Sequence, residues 1–410
     1  MDDFIQKELS QQFRDETRFW QDVPESNFRV RGANIQHAAS HNRKILLHEI
    51  RARRAVGRKE LADITGLTPP AVFKIAKDLL AEEWIVGTRV RDGSIGQPTS
   101  MLAINGDAAF TFGLNVDRDQ LTFVALDFAG AVRTRLTMAS PLPSLSEVRA
   151  FFRLCLDRLH RDDLIPMSKV VGVGLAVPDD LGGSYHGAER EAWRQTSLPD
   201  LLGDMVDCRI VHENDATSAA IGEMMFGAGL KADTFFYLFI SVGLGGGLVI
   251  NRQYVRGTHG RSGELGYLPQ INPFRSSKTD LSRTLEQYVS LPGLFEALRP
   301  VAPHLHDLDD VDFTDPAVMA AVDIWTDTAA DLLYLPLLSV LCTVDPEAIL
   351  VGGRLPPAIT ERLCYQVSKR LSLNVGVHWP KMAVQPGRVS NDAAAVGAAV
   401  LAFKDIWERG

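Results

Sequence analysis

The sequence predicts an α/β protein in two parts, a small helical module followed by a larger body of two lobes. Residues 42–81 carry helical periodicity interrupted by a tight glycine turn. A pattern of paired strands followed by a crossover helix begins at Phe110, and a second copy begins at Phe235. Between the copies, the polar cluster from His212 to Ala216 connects an apolar strand pattern to a small-residue helix. Strands that alternate with helices in this way are typical of an α/β fold.

The composition indicates a soluble protein with more than one core. The chain has 410 residues, 46% of them hydrophobic, which is enough for two or three domains. No apolar run approaches the ~20 residues that span a bilayer, and the N-terminus is polar and acidic. We therefore expect a cytoplasmic protein with no membrane partner. The cysteines lack the paired spacing of a metal site, so we expect reduced core thiols at Cys155, Cys208, Cys342 and Cys364.

Positive charge is concentrated in one short region. Residues 41–100 contain eleven lysines and arginines and seven acidic residues, a net charge of +4, although the whole chain carries −8. A basic module on an acidic body is typical of a protein in which one small domain binds nucleic acid. Residues 1–40, which precede it, show little periodicity. We expect a loosely ordered extension there, with one short helix around Ile5–Phe19.

Residues 41–104 have the pattern of a winged helix-turn-helix domain. Three helical stretches follow one another, the first from Asn42, the second ending at Gly66 and the third capped by Thr68. Two strand patterns joined by a glycine-rich wing complete the module. In this arrangement the helix after the glycine turn enters the major groove of DNA. The alternative interpretation of residues 41–104 is a plain helical bundle. The predicted DNA contacts are Thr68, Phe73, Lys74, Lys77, Arg89 and Arg91.

The body is predicted to form two lobes around a cleft. The first lobe comprises residues 105–230 together with 391–410, and the second comprises residues 231–390. Each lobe starts with a β-hairpin and continues with helices, so the doubling predicts two similar halves. Two short stretches, Val56-Gly57 and Gly352-Gly353, are predicted as turns.

The polar cluster at the junction of the two halves has two interpretations. Asn214-Asp215 before an alanine-rich helix forms a helix cap in the simpler interpretation. A carboxylate at the end of a strand can also face the crevice in which open α/β sheets bind ligands. Two glycine-rich stretches, Ile240–Gly247 and Gly257–Tyr267, follow closely and favour the ligand interpretation.

From about Asn42 to the C-terminus the chain resembles the ROK family, whose repressors and sugar kinases share the actin-like ATPase fold. Several motifs in the family's order carry the resemblance: Val171–Pro178, Glu213–Ala216, Ser241–Gly247, Gly263–Gly266 and Gly352-Gly353. The resemblance implies an actin-like, bilobal body behind the winged module. The wing reads Gly96-Gln97-Pro98, where the repressor branch usually has Gly-Arg-Pro. Without that arginine, a minor-groove contact from the wing tip is not expected.

The stretch that matches the first phosphate loop of the ROK kinases is altered. The family pattern is Asp-x-Gly-Gly-Thr-Lys, and the matching residues are Asn115–Gln120, which read Asn-Val-Asp-Arg-Asp-Gln. Two glycines are missing, and each added carboxylate would repel a polyphosphate by about 1 kcal/mol in water and more near a protein surface. We therefore expect poor ATP binding. The second loop, Gly243–Gly247, keeps its glycines, which either bind phosphate or allow tight β packing.

The residues that match the sugar side of the family's site are retained. The resemblance implies that Asn214, Asp215, Glu264 and Glu286 bind sugar hydroxyls, with Asp215 at the position of the general base. A site that pairs each hydroxyl rejects ligands that lack it. A base without a phosphate donor has nothing to catalyse, so we interpret Asp215 as a vestigial base that accepts a hydrogen bond. Tyr267 replaces the family's histidine, and we expect a sugar preference different from glucose-like ligands.

No cofactor is expected. Residues 273–280 replace the family's cysteine-rich zinc loop, and no histidine or cysteine remains between Tyr267 and Glu286. A zinc site needs three or four nitrogen or sulfur ligands. His259 alone is interpreted as a loop histidine.

These features predict a sugar-responsive transcriptional regulator, a repressor, that binds operator DNA as a homodimer or homotetramer. A sugar or sugar derivative in the cleft is the expected effector. The alternative is an ATP-dependent sugar kinase with an N-terminal DNA-binding extension. A third interpretation, a protein-interaction role for the acidic body, has no residue pattern that points to a partner.

Overall fold

The structure is a computed structural model of the chain. It describes residues 35–90, 99–179, 181–274, 282–303, 305, 308, 311–375, 383–389, 392–404 and 406. The predicted helix around Ile5–Phe19 and the wing tip with Arg91 lie outside the described residues. The chain divides into two compact units, Met1–Asn42 and Arg43–Gly410.

The N-terminal module contains three helices and a small sheet. Helix α1 (Ile35–Arg53) begins before the predicted start at Asn42. The prediction missed its first residues because their apolar periodicity is weak. The turn predicted at Val56-Gly57 is wrong, since these residues form strand β1. Strand β1 pairs with β3 (Thr99–Ile104), which also pairs with β2 (Ile85–Val90), so the sheet has three strands.

The two helices after β1 follow the predicted pattern. Helix α2 (Arg58–Thr65) ends at Gly66, whose φ of 67° is the left-handed conformation that glycine adopts without strain. Helix α3 (Pro69–Ala81) starts with two prolines after Thr68. The Thr68 side chain makes no cap hydrogen bond, contrary to prediction. Pro69 and Pro70 have no amide hydrogens, so fewer donors at this helix start need a cap.

The first lobe is a five-stranded mixed sheet with helices. Its strands are β4 (Phe110–Val116), β5 (Gln120–Asp127), β6 (Val132–Ala139), β7 (Val170–Val177) and β8 (Arg209–Asn214), in the order β6-β5-β4-β7-β8. Strands β4, β7 and β8 run parallel. The helices after β6 are α4 (Leu145–Arg161), α5 (Gly187–Gln195), α6 (Leu198–Leu202) and, after β8, α7 (Asp215–Phe226). The predicted hairpin and crossover helix are therefore present.

The second lobe repeats this plan with larger helices. Its strands are β9 (Phe235–Ile240), β10 (Leu244–Ile250), β11 (Gln253–Tyr254), β12 (Ala348–Gly353) and β13 (Ala383–Pro386), in the order β11-β10-β9-β12-β13. Its helices are α8 (Leu291–Leu298), α9 (Pro316–Val344) and α10 (Pro357–Val375). The predicted turn Gly352-Gly353 is wrong, because both glycines still pair with β9 at the end of β12.

Helix α9 is the one helix among the described residues that is long and apolar enough to cross a bilayer. Fourteen of its side chains are buried, and among these Trp325, Leu333 and Leu337 belong to the core of the second lobe. Its apolar character is thus explained by its place under the sheet.

Helix α11 (Ala393–Ala402) returns to the first lobe and packs beside α7. Glycines allow this close approach. A Cβ atom at Gly174 would lie 1.8 Å from the Ala398 carbonyl oxygen, and one at Gly397 would lie 1.6 Å from the Ser218 carbonyl oxygen. Alanines of α7 and α11 share one core cluster with Ala176 of the first sheet and Tyr237 of the second. The two helices therefore connect both lobes.

Candidate functional site

Asn214 and Asp215 lie where β8 ends and α7 begins. The Asn214 side-chain oxygen accepts a hydrogen bond from the Thr217 amide at 3.0 Å, so Asn214 is a helix cap. One Asp215 carboxylate oxygen accepts from the Ala216 amide at 2.8 Å. Asp215 also lines a cavity in the cleft. Asn214 is therefore the helix cap, and Asp215 faces the cavity, so the ligand interpretation stays a prediction.

The cavity brings together every residue that was predicted for the sugar side. Asn214, Asp215, Glu264, Tyr267 and Glu286 all line it, and Tyr267 remains 55% exposed at its edge. The other lining residues are Asp117, Arg118, Pro178, Asp179, Phe239 and Gly243 to Gly245. The free volume is about 30 Å³, which is room for roughly two water molecules. A sugar ring is larger than this space.

Carboxylates dominate the cavity wall. Five of them, Asp117, Asp179, Asp215, Glu264 and Glu286, accompany one guanidinium, that of Arg118. Burial and then the neighbouring Asp117 raise the pKa of Asp215 to about 7. Burial and then Asp179, which shares a hydrogen bond with it, raise the pKa of Glu264 to about 7. Near neutral pH both groups can therefore donate as well as accept hydrogen bonds, which suits hydroxyl ligands.

Side chains of the altered phosphate loop, Asn115–Gln120, contact the second lobe. Asp117 is only 2% exposed and accepts a hydrogen bond from the Ser241 hydroxyl at 2.8 Å. The Arg354 guanidinium lies 2.6 Å from Asp119 and 3.5 Å from Asp117. Arg118 lies 3.9 Å from Glu286. The two added carboxylates thus pair with an arginine of the protein itself.

The sequence profile of the ROK family matches residues 161–405, more than half of the chain. The chain belongs to the ROK family. It is 27% identical over 369 residues to an uncharacterized protein of Sinorhizobium fredii, covering 89% of this chain and 91% of that protein. It is 25% identical over 372 residues to the xylose repressor of Bacillus subtilis, covering 87% of this chain and 93% of the repressor.

Solved structures of ROK proteins have the same fold. A ROK family transcriptional regulator, a homologue of the E. coli MLC protein, aligns with a TM-score of 0.58 at 17% identity, covering 91% of this chain and 97% of that structure. A ROK glucokinase from Streptomyces griseus, in complex with glucose and AMPPNP, aligns with a TM-score of 0.57 at 22% identity, covering 72% of this chain and 100% of the kinase. The alignment with the regulator extends over more of this chain, and the predicted actin-like fold is confirmed.

The second glycine loop of this ROK protein has a packing role. A Cβ atom at Gly247 would lie 2.3 Å from the Ala220 Cβ atom, and one at Gly245 would lie 2.8 Å from the Ala216 Cβ atom. At Gly243 an added Cβ would lie 2.8 Å from the Glu286 carboxylate. Contact between β10 and α7 therefore requires Gly245 and Gly247 whether or not a phosphate binds.

The predicted DNA contacts are only partly described. Thr68, Phe73, Lys74 and Lys77 are exposed at the start and outer face of α3, and the Phe73 ring lies 5.9 Å from the Arg58 guanidinium. Arg89 lies on β2, opposite Ser100, but its side chain is outside the described residues, as is Arg91. The inner face of α3 is buried through Val72, Ala76 and Leu79. Among the described residues, the outer face of α3 is therefore exposed.

An arginine joins the N-terminal module to the first lobe. Arg51 of α1 is buried, and its guanidinium lies 5.4 Å from the ring centres of both Phe128 and Phe226. It also donates to the Phe128 carbonyl oxygen at 3.4 Å, and the Trp84 ring lies 4.8 Å from the Phe128 ring. Burial lowers the pKa of Arg51 to about 10, so it remains charged at neutral pH. Phe226 is the last residue of α7, whose first residue is Asp215.

Sequence reasoning missed Asp179, Arg354 and Arg51. Asp179 directly follows the Val171–Pro178 motif, and Arg354 directly follows Gly352-Gly353, so proximity to a motif was a usable signal for both. Arg51 carried no such signal, because a basic residue in a basic helix predicts a solvent-facing or DNA-facing position. Its partner residues lie 77 and 175 positions away in the chain.

The raised pKa values of Asp215 and Glu264 predict a pH dependence of stability. A carboxyl group whose pKa is higher in the folded state binds more protons there, so its stabilising effect is present at low pH and is lost as the pH rises towards 7. We expect the free energy of unfolding to fall between about pH 4 and about pH 7, the unfolded and folded pKa values of these groups, with a contribution of at most about 1.4 kcal/mol per pH unit from each group. Urea denaturation of Asp215→Asn should show a flatter profile. Asp157→Asn, on the exposed face of α4, is the control, and equal slopes in both variants would refute this assignment.

Proposed function

We propose that this ROK protein is a sugar-responsive transcriptional repressor. One observation carries the proposal: a basic helix-turn-helix module is fused to a cleft that keeps the sugar-side residues, while the matching phosphate loop is paired with Arg354. The similarity to xylose repressors over most of both chains supports the same function. A repressor acts on DNA, so the proposed location is the cytoplasm.

The proposed DNA-binding element is helix α3 together with the wing. Thr68, Phe73, Lys74 and Lys77 present an aromatic ring, a hydroxyl and two cations on one exposed face. Phosphate contacts from lysine supply affinity, and side chains at base edges supply specificity. Operators for helix-turn-helix proteins are two-fold symmetric, so we propose a homodimer or homotetramer. Ile324 and Tyr365, which are 67% and 68% exposed on α9 and α10, offer an apolar surface for a second copy.

The proposed effector is a sugar bound by Asn214, Asp215, Glu264, Tyr267 and Glu286. The carboxyl groups that titrate near pH 7 can pair with hydroxyl groups in either protonation state. Arg118 and Glu286 face each other across the closed cavity, so a sugar that pairs with Glu286 competes with this contact. We therefore propose that the sugar opens the cleft as it binds. No zinc or other cofactor is part of the proposal.

The proposed repressor does not transfer phosphate. The Asp117 and Arg118 side chains lie where the kinases of the family have glycines, and the ion pairs of Asp117 and Asp119 with Arg354 would have to break before a polyphosphate could bind. The packing role of Gly245 and Gly247 accounts for the retained second loop without a nucleotide. Two observations support the alternative function, a sugar kinase: Asp215 lies at the position of the family's general base, and the chain shares its fold with the glucokinase.

Helix α7 is the proposed connection between the two sites. Asp215 at its start lines the sugar cavity, and Phe226 at its end contacts Arg51 of the DNA-binding module. Twelve helical residues place these ends about 16 Å apart. A ligand shifts such an equilibrium only by binding one conformation more tightly than the other. We propose that cleft opening moves α7 and thereby the contact at Arg51.

A ligand screen separates the two functions. We expect a sugar from a panel that begins with xylose to raise the melting temperature, because a ligand at 100 times its Kd stabilises a protein by about 2.7 kcal/mol. Asp215→Ala should lose the shift, whereas Asp157→Ala should keep it. ATP with magnesium should give neither a shift nor turnover in a coupled assay. Sugar phosphorylation that disappears in Asp215→Asn would instead establish the kinase.

The role of α3 is tested with DNA from the chain's own upstream region. We expect Lys74→Ala and Lys77→Ala to weaken binding and to lower the slope of log K against log salt by about one for each lost phosphate contact. Lys369→Ala, an exposed lysine on α10, is the control. If the salt slope of the Lys74 and Lys77 variants equals that of the control, these lysines lie outside the DNA interface.

A further inference from the structure

Two adjoining cavities lie outside the sugar cleft, where α7, β11 and the end of α11 meet. The larger has a volume of about 530 Å³ and the smaller about 260 Å³. They share four lining residues, Tyr254, Arg256, Leu401 and Lys404. Small-molecule sites in proteins typically have volumes of 300–1,000 Å³, so the larger cavity has the size of a ligand site.

Positive charge surrounds these cavities although the chain as a whole is acidic. Among the described lining residues, four side chains are cationic and one is a carboxylate: Arg209, Arg252, Arg256, Lys404 and Glu213. Glu213 pairs with Arg256 at 3.0 Å, and Asp233, from outside the lining, pairs with Arg252 at 3.3 Å. The Lys404 ammonium lies 5.7 Å from the centre of the Tyr254 ring. Cations therefore outnumber carboxylates at the rim.

The positive field extends to the DNA-binding module. His48 of α1 has a pKa lowered to about 4, first by burial and then by the charge of Arg252, with Arg51 and Arg53 adding to it and Glu49 opposing it. The charge of Arg252 thus acts on a group of α1.

The floor of the larger cavity is apolar. Ile221, Met224 and Met225 of α7 form one side, and Val400 and Leu401 of α11 form the other. Methionine side chains adapt their shape to a bound apolar group. A cavity with a cationic rim and an apolar floor matches a ligand that has an anionic end and an apolar body.

We propose that this cavity is a second ligand site, which takes a small organic anion whose carboxylate or phosphate group meets Arg252, Arg256 and Lys404 and whose apolar part rests on α7 and α11. Its floor residue Met225 directly precedes Phe226, the residue that contacts Arg51. An anion in this cavity therefore contacts the same helix as the sugar, but near its opposite end.

The test is direct binding of small probes to the full-length protein without DNA or sugar. Benzoate and phenyl phosphate carry an anion on an apolar ring, benzamide is the neutral counterpart, and inorganic phosphate is the anion alone. We expect saturable binding of benzoate or phenyl phosphate with a Kd of about 1 mM or tighter. Benzamide and inorganic phosphate should each bind at least tenfold more weakly. Comparison of the two anionic probes distinguishes a carboxylate ligand from a phosphate ligand.

Matched variants locate the binding. Lys404→Glu reverses one charge at the rim, and Gln253→Trp fills the cavity from an exposed strand position. Each should weaken probe binding at least tenfold and leave sugar binding unchanged. Lys369→Glu makes the same charge reversal on α10 and should have no effect on the probes.

Three results would overturn the proposal. Equal binding of benzamide and benzoate would remove the anion requirement, and equal probe binding by Lys404→Glu and Lys369→Glu would place the site elsewhere. If Lys404→Glu keeps probe binding but loses affinity for operator DNA, the basic rim contacts the DNA backbone instead. The probe titrations need neither sugar nor DNA, so the second site and the repressor function can fail or hold independently.

Discussion

The hydrogen bond from the Thr217 amide to the Asn214 side chain determines where α7 begins, and both proposed sites depend on that position. It places Asp215 at the cavity wall and, one helix length away, Phe226 against Arg51. From Ala216 to Ala220 the helix has little side-chain bulk. Ala216 and Ala220 contact Gly245 and Gly247 of β10, and Gly222 faces Gly397 of α11. A displacement of α7 would therefore be transmitted to β10 and α11, because packed interiors transmit strain.

Charge pairs connect the two lobes across the cleft. Arg354 of the second lobe binds Asp119 and Asp117 of the first, and Arg118 faces Glu286. Asp119 is partly buried, and burial raises its pKa despite the opposing effect of Arg354. Breaking one partner of a buried pair costs more than the pair contributes, because a charge is left without compensation. The residues in place of a phosphate loop therefore hold the two lobes together, and the sugar of the proposed function would compete with these contacts.

The order of apolar, polar and glycine residues along the chain predicted much of the fold and of the cavity lining. Apolar periodicity and glycine turns indicated the helices α2 and α3 and the strands of both lobes, and motif order brought five residues to one cavity before their distances were known. Elements with weak periodicity or short length were missed: the start of α1, strands β1 and β13, and helix α10. Long-range ion pairs were missed for a different reason. Arg354 and Asp119 are 235 positions apart, and their pairing depends on how two lobes pack.

The central claim is that the sugar cleft and the DNA-binding module are coupled through α7. Its most direct test is the Kd for fluorescently labelled upstream DNA, measured by anisotropy with and without a saturating sugar, in the wild type and in Phe226→Leu. We expect the sugar to change the wild-type Kd by a factor of about 5–150, the usual range of allosteric coupling. In Phe226→Leu, with sugar binding checked separately, this factor should fall towards one. An unchanged factor in the variant would contradict coupling through the Phe226–Arg51 contact.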